Sequence, residues 1–249
     1  MEYVVVLGSR GRLKAFLAMT TVTKPQISAS GEKINIMLED ANKVPEYTNR
    51  GLRKKDLKKD PIEQFKIWYE QACELGPLEA TTMALSTVSA NGQVSLRSVL
   101  LKDFDARGFV FFTNYGSTKA KQIEGNPQVA LLFRWLPQYR QVIILGTAGQ
   151  ITLEESRDYF ITRPRETRLG AWVSRQSSII SSRDVLDEKL MEVERKFSDI
   201  DVPLPPFWGG YRVKLKSIEF WNGRPNRLHD RFLYTRQPDE SWGIERLSP

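Results

Sequence analysis

Short apolar and β-branched runs, separated by turn residues, constrain this chain more than anything else in it. They fall at residues 82–88, 94–102, 109–113, 129–135 and 140–151, with Asn91-Gly92, Arg107-Gly108 and a break around Pro137 between them. Asn-Gly between two such runs is a strong hairpin signal, because both residues tolerate the left-handed backbone of a two-residue turn. Three more runs follow at 211–221, 228–235 and 242–247. Strands this short, joined at hairpin spacing, pair antiparallel and close into a small barrel or sandwich.

Helices interrupt the series. Asp60-Pro61-Ile62-Glu63 reads as N-cap, proline at the first helical position and an acid at the third. Ile62, Phe65, Tyr69, Ala72 and Leu75 then recur at helical spacing over 62–75. A short helix is expected over 117–124, ending at Gly125. Thr152-Leu153-Glu154-Glu155 is a capping box opening a helix through Ile161, and a charged helix covers about 183–197 before the Pro203-Leu204-Pro205-Pro206 break. The expected architecture is mainly β with added helices, in three segments. Residues 1–40 form an extension, 41–206 the barrel body with helical insertions, and 207–249 the strands that complete it. The extension has no acid between Glu2 and Glu32 but carries Arg10, Arg12, Lys14 and Lys24. We read it as a disordered segment, either transit-like or the product of a start upstream of Met19 or Met37.

Several function classes are disfavoured. No Gly-rich strand-to-helix turn of the dinucleotide or P-loop kind is present. One histidine and one cysteine, Cys73, make a zinc or iron–sulfur centre improbable and rule out an intramolecular disulfide. Cys73 lies in the first helical pattern and is expected to be a small buried residue. No apolar run approaches the roughly 20 residues that span a bilayer. The net charge of +7 invites nucleic acid, yet acidic residues are interspersed over most of the length. A basic excess equally suits small phosphorylated ligands.

Candidate chemistry is spread over several clusters. The single histidine sits in Arg227-Leu228-His229-Asp230-Arg231. On a strand, alternation would put Arg227, His229 and Arg231 on one face, two permanent cations beside a group that exchanges protons near neutral pH. In Arg97-Ser98-Val99-Leu100-Leu101-Lys102, Arg97, Val99 and Leu101 would share a face and Ser98, Leu100 and Lys102 the other. Thr113 to Lys119 joins a strand to a helix and offers hydroxyls, a helix N-terminus and a lysine, the ingredients of a phosphate site. Arg163-Pro164-Arg165 and Arg175-Gln176-Ser177-Ser178 add further anion-capable groups. Each cluster alone also fits a plain structural role. Together they are too many for one small ligand, and two phosphorylated ligands would account for them.

The order of these motifs resembles the pyridoxine/pyridoxamine 5′-phosphate oxidase family. The resemblance runs from about Glu46 to Pro249 and is carried by residues 97–102, Phe112-Thr113-Asn114, Gly116-Ser117-Thr118-Lys119, Arg140-Gln141-Val142, residues 170–178, Phe207-Trp208-Gly209-Gly210, Glu219-Phe220-Trp221 and the His229 motif. It implies a homodimeric FMN-binding split β-barrel with the flavin at the subunit interface. FMN contacts would come from Arg97, Ser98, Val99, Leu100, Leu101, Lys102, Phe112, Thr113, Thr118, Lys119, Gln141, Gln176, Ser177, Trp221 and Arg231. Lys102, Tyr159, Arg163 and Thr167 would hold a substrate phosphate, with Tyr47 and Leu228 nearby, and Arg227 and His229 would cover the pyridine ring. The implied reaction oxidises the alcohol or amine substrate to pyridoxal 5′-phosphate and reduces dioxygen to hydrogen peroxide. The implied partners are a second copy, the small phosphorylated substrate and dioxygen, without nucleic acid or membrane. The implied location is cytoplasmic, or organellar if residues 1–40 are a transit segment.

The chain departs from the family pattern in places. Thr118 stands where Arg is common, which predicts weaker FMN retention. Phe112 replaces a common Tyr and Thr167 a common Ser, while Val44-Pro45-Glu46 stands where basic residues often fold over substrate. The competing readings are a sister oxidase acting on a phenazine precursor, a non-catalytic carrier of flavin or pyridoxal phosphate and, more distantly, a nucleic-acid-binding protein.

Overall fold

The computed structural model describes residues 51–249, so the expectations for residues 1–40 and for Tyr47 lie outside the described part. Within it, nine strands form one antiparallel sheet. They are β1 (Thr82–Val88), β2 (Val94–Leu100), β3 (Asp103–Asp105), β4 (Gly108–Asn114), β5 (Gln128–Trp135), β6 (Arg140–Gln150), β7 (Trp208–Asn222), β8 (Asp230–Arg236) and β9 (Trp242–Leu247). The neighbour order is β2-β1-β5-β6-β7-β4-β3, with β8 against β7 and β9 against β8. The path curls back on itself. Just past β2, the Lys102 N–H donates to Val110 O on β4 (2.9 Å), which closes a barrel.

Strand β7 serves both ends of the molecule. Its first half pairs with β4, Trp208 opposite Asn114 through Val213 opposite Phe109. Its second half pairs with β8, Ser217 opposite Thr235 through Asn222 opposite Asp230. The change of partner coincides with a bulge opposite Leu145 and Gly146 of β6, where the extra residue Lys216 of β7 bends and twists the pair. Only glycine fits there, because a Cβ on Gly146 would lie 2.2 Å from Lys214 O.

Helix α1 (Pro61–Cys73) plugs the barrel. Asp60 caps it by accepting from Ile62 N–H, and Pro61 occupies the first helical position, as the sequence indicates. Its Phe65 is fully buried and meets Phe104, Phe109 and Phe133 edge-on, with ring centres 4.7–5.0 Å apart. Edge-to-face aromatic pairs contribute about 0.5–1.5 kcal/mol each beyond area burial. Cys73, expected to be buried, is half-buried at the end of this helix. Tyr69, one turn earlier, has its pKa pushed up to about 12, first by burial and then by the hydrogen bond to Cys73.

The other α-helices are α2 (Pro77–Thr81), α3 (Thr118–Gly125), α4 (Leu153–Ile161), α5 (Arg165–Val173) and α6 (Asp184–Lys196). The Thr152–Glu155 capping box of α4 is present in both directions. Leu169, Val193, Phe197 and Val202 make a second small core under α5 and α6, and Trp172 Nε1 donates to Pro203 O in the proline-rich break (2.8 Å). Helices α2 and α5 have no counterpart among the sequence expectations. Only Leu169 on α5 is buried. No helix among the described residues is long and apolar enough to cross a membrane.

Two strand expectations change. The run 94–102 leaves the sheet at Leu100, and the run 228–235 begins only at Asp230. Before it, Pro225–Arg227 form a tight 3-10 turn in which Asn226 and Arg227 both adopt left-handed backbone (φ 58 and 59). Arg227 and His229 therefore precede the strand that carries Arg231, and the three do not share a strand face.

Candidate active site

Strand β2, the end of β4, the start of α3, the end of α4 and α5 enclose a cleft of about 890 Å³. Fourteen of the expected residues line it: Arg97, Ser98, Val99, Leu100, Lys102, Phe112, Thr113, Thr118, Lys119, Tyr159, Arg163, Thr167, Gln176 and Ser177. Its lining contains four cations and no carboxylate. Leu101 is the exception in its segment. Its side chain is buried in the barrel core and its N–H donates to Thr81 O, so it turns away from the cleft.

One end of the cleft is built around Arg97 and Lys119. Lys119 sits in the first turn of α3, where Ser117 caps the helix and backbone N–H groups point outward. Its Nζ is held by Gln176 Oε1 (3.0 Å), Thr113 Oγ1 (3.2 Å) and Ser117 Oγ (3.5 Å). Burial, and then the charge of Arg97, hold its pKa below the usual lysine range. Arg97 Nη1 donates to Leu85 O (2.9 Å) and Thr87 Oγ1 (2.6 Å). Burial also lowers the Arg97 pKa. Two cations drawn together without an acid between them favour an anion beside them.

The other end gathers Lys102, Tyr159, Arg163 and Thr167. Phe112 stacks on Tyr159 (3.9 Å) and on Trp208 (5.3 Å). The Arg163 guanidinium lies over Trp208 at 4.7 Å and over Phe160 at 5.5 Å. Its Nη1 is buried with no hydrogen-bond partner among the described residues, and burial lowers its pKa. A buried donor with nothing to bond costs about 1–3 kcal/mol, a cost that an acceptor brought to this end by a ligand would offset.

Trp208 and Asn114 also line the cleft, and residue-by-residue reading did not single them out. Asn114 fastens the loop carrying Gln176, donating to Ser174 O (3.0 Å) and accepting from Gly116 N–H (2.8 Å). The signal for Trp208 was the Trp-Gly-Gly sequence that follows Phe207. A Cβ on Gly209 would stand 2.1 Å from the Tyr115 hydroxyl, so the backbone is pinned where Trp208 enters the cleft.

The remaining expected residues lie at the far end of β7. Gln141, Trp221 and Arg231 form one row across β6, β7 and β8. The Trp221 ring meets the His229 imidazole, with centres 4.5 Å apart. Arg231 is clasped by Glu219 (2.7 and 3.1 Å) and donates to Ser248 O. The Arg224 N–H donates to His229 Nδ1 (3.1 Å), which leaves the ring proton of neutral His229 on Nε2. Burial first, then the Arg227 charge, lower the His229 pKa, and Asp230 opposes them. Arg227 and Leu228 are exposed. The cleft takes Trp208 at the start of β7 and this row takes Trp221 near its end. At about 3.3 Å per residue, up to roughly 40 Å of strand separates them.

Comparison with known proteins places this arrangement. Residues 70–197 match the family model described as pyridoxamine 5′-phosphate oxidase, and residues 208–249 match the pyridoxine 5′-phosphate oxidase C-terminal dimerisation region. A relative from Rippkaea orientalis named pyridoxine/pyridoxamine 5′-phosphate oxidase is 60% identical over 204 residues, covering 82% of this chain and 96% of its own length. One of the same name from Escherichia coli is 52% identical over 204 residues, covering 82% and 93%. The crystal structure of PhzG from Burkholderia lata in complex with tetrahydrophenazine-1-carboxylic acid superposes with a TM-score of 0.74 at 26% identity, covering 80% of this chain and 98% of that one. An FMN-binding protein from Nostoc punctiforme, related to pyridoxamine 5′-phosphate oxidase, shares the fold with a TM-score of 0.64 at 16% identity, covering 78% and 100%.

Proposed function

Because this chain belongs to the pyridoxamine 5′-phosphate oxidase family, we propose that it oxidises pyridoxine 5′-phosphate or pyridoxamine 5′-phosphate to pyridoxal 5′-phosphate, with FMN as cofactor and dioxygen as the final acceptor. The observation that carries the reading is the acid-free cleft with a cation pair at each end. Two phosphate monoesters, one on FMN and one on the substrate, match that charge pattern.

The residues present fit FMN. Arg97 and Lys119, with the α3 N-terminus and Ser177, would hold its phosphate. Bound FMN supplies the two-electron acceptor for oxidation of the substrate carbon that bears the alcohol or amine. The orphaned Arg163 Nη1, with Lys102, Tyr159 and Thr167, would take the substrate phosphate and fix the pyridine ring at the cleft mouth. Holding a charged tail this way orients the reacting carbon without any covalent step by the protein.

The second half of the site comes from another copy. The C-terminal region matches a dimerisation region, and one chain keeps Arg227, His229 and Trp221 at the end of β7 away from the cleft. In a twofold dimer each cleft would receive the partner's row. There Arg227, held outward by its left-handed turn, would cover the exposed face of the substrate ring. His229 would donate from Nε2, since the lone pair on Nδ1 already accepts from Arg224. It positions the substrate and does not remove its proton.

The experiment is direct. The purified chain is examined for a flavin spectrum, then given each vitamin phosphate with dioxygen while aldehyde and peroxide are followed. The reading expects a yellow protein that forms both products. A yellow protein that turns over neither substrate would contradict it. Turnover of a dihydrophenazine carboxylate in their place would move it to the PhzG activity.

A further inference from the structure

Arg97 and Lys119 of the cleft are held differently from three arginines elsewhere in the chain. Arg212 lies between Asp105 and Glu155 (2.9 Å each), Arg231 on Glu219, and Arg246 on Asp230 (2.8 Å). All three are neutralised by carboxylates. Arg97 and Lys119 bond only neutral oxygens among the described residues.

Gln122 is the pivot of that neutral set. It lies one turn after Lys119 on α3, and its Oε1 accepts from the fully buried Thr87 hydroxyl (2.6 Å) and from Arg97 Nη2 (3.4 Å). Its Nε2 donates to Ser95 Oγ (3.0 Å), and Arg97, which can only donate, requires the amide oxygen to be the end that faces it. The Thr87 hydroxyl passes its proton toward Gln122 and accepts from Arg97 Nη1 (2.6 Å). The guanidinium is thus held on one edge by three acceptors, the third being Leu85 O. Gln122 does not itself line the cleft.

We propose that Gln122 is a positioning residue for the flavin phosphate, aiming Arg97 into the cleft while leaving the whole of its charge available to the ligand. The inference rests on the flavin reading of the cleft given above. A carboxylate of the same shape would hold Arg97 more firmly and cancel its field. A residue needed only for packing or for fixing Arg97 would tolerate that change.

Gln122→Glu separates the two roles. Apoprotein of the full chain is titrated with FMN and with riboflavin by flavin fluorescence, and its thermal unfolding midpoint is recorded. The Glu variant is expected to bind FMN about 30-fold more weakly, the size of one lost charge-assisted hydrogen bond. Riboflavin, which lacks the phosphate, should change by less than about threefold, and the unfolding midpoint should stay or rise. Gln122→Met removes the acceptor without adding charge and should weaken FMN by only about fivefold, as for a neutral hydrogen bond. FMN binding by the Glu variant within about threefold of the unmodified chain would overturn the proposal. So would a parallel loss of riboflavin, or a Met variant as impaired as the Glu variant. If the Glu variant does not fold, a Met variant with unchanged FMN affinity overturns it and one with the expected modest, phosphate-specific loss supports it. An unmodified apoprotein that binds no FMN would instead sink the flavin reading itself.

Discussion

The two ends of β7 handle positive charge in opposite ways. At its start, the cleft keeps Arg97, Lys119, Lys102 and Arg163 without a carboxylate in the lining. At its far end, Arg231 is paired with Glu219, and Asp230 draws in Arg224 and Arg246. On the proposed reading, the first region is an anion receptor, its four cations left for a ligand to neutralise. The second pairs three of its arginines with carboxylates, and it presents outward the Trp221–His229 pair and the exposed Arg227 turn. Stability and ligand affinity are therefore governed by different cations in the same chain.

The sharpest way to break this comparison is to make the same substitution at both ends. Arg231→Met strands Glu219, which is 9% exposed, and should cost about 3 kcal/mol of folding stability in denaturant unfolding. Arg97→Met strands no charge. It should leave unfolding of the apoprotein nearly unchanged while weakening FMN by about 100-fold, as expected for loss of a bidentate cation. Equal destabilisation by the two would dissolve the distinction. Within the cleft, Arg163→Ala should raise KM for either vitamin phosphate by about 30-fold and leave the FMN Kd alone, because it serves the other phosphate. A matching loss of FMN would merge the two cation pairs into one site.

Thr118→Arg tests the receptor in the opposite direction. Thr118 is exposed at the α3 N-terminus, where its N–H donates to Ser177 Oγ (3.2 Å), and an added guanidinium should tighten FMN by about tenfold in a dialysis or fluorescence titration. No gain would show that the phosphate is already saturated by Arg97 and Lys119. The smallest effect belongs to His229. Its pKa is lowered in the folded chain, so folding favours the neutral ring. The stability this confers is present above the ordinary histidine range and is lost as pH falls through it and below. His229→Asn should remove that acid-side decline from both the unfolding free energy and the pH–rate profile, with the plateau above neutrality retained. An alkaline limb that disappears in the variant would contradict this, because it would show that His229 works in its protonated form.

Most of the barrel was legible because its physics is local. The Asn91-Gly92 turn, the Asp60 cap, the Thr152–Glu155 box and period-two alternation each declare themselves within a few residues. What escaped depends on partners far along the chain. Helix α5 is anchored by Leu169 against Val193 and Phe197, which no pattern in residues 165–173 reveals. The expected Arg227–His229–Arg231 face failed because Asn226 and Arg227 take left-handed backbone, a conformation bulky side chains rarely signal. Leu101 was read with its neighbours, yet the chain leaves β2 at Leu100 and its side chain turns into the core. The residues expected in the site came with the family resemblance, and fourteen of them line the cleft. That the two clusters lie at opposite ends of one strand did not come with the resemblance, since only pairing and register reveal it.

The central claim is that one working site needs the cleft of one copy and the β7 end of another. Two inactive chains decide it: one carrying Arg97→Met with Lys119→Met, the other Arg227→Ala with His229→Asn. Subunits are exchanged between the two homodimers and oxidation of pyridoxine 5′-phosphate is measured. Random exchange makes half of the dimers mixed, each with one intact composite site, so roughly a quarter of the unmodified activity should appear from two inactive parents. Mixed dimers that form, verified by mass, and remain inactive would contradict the account.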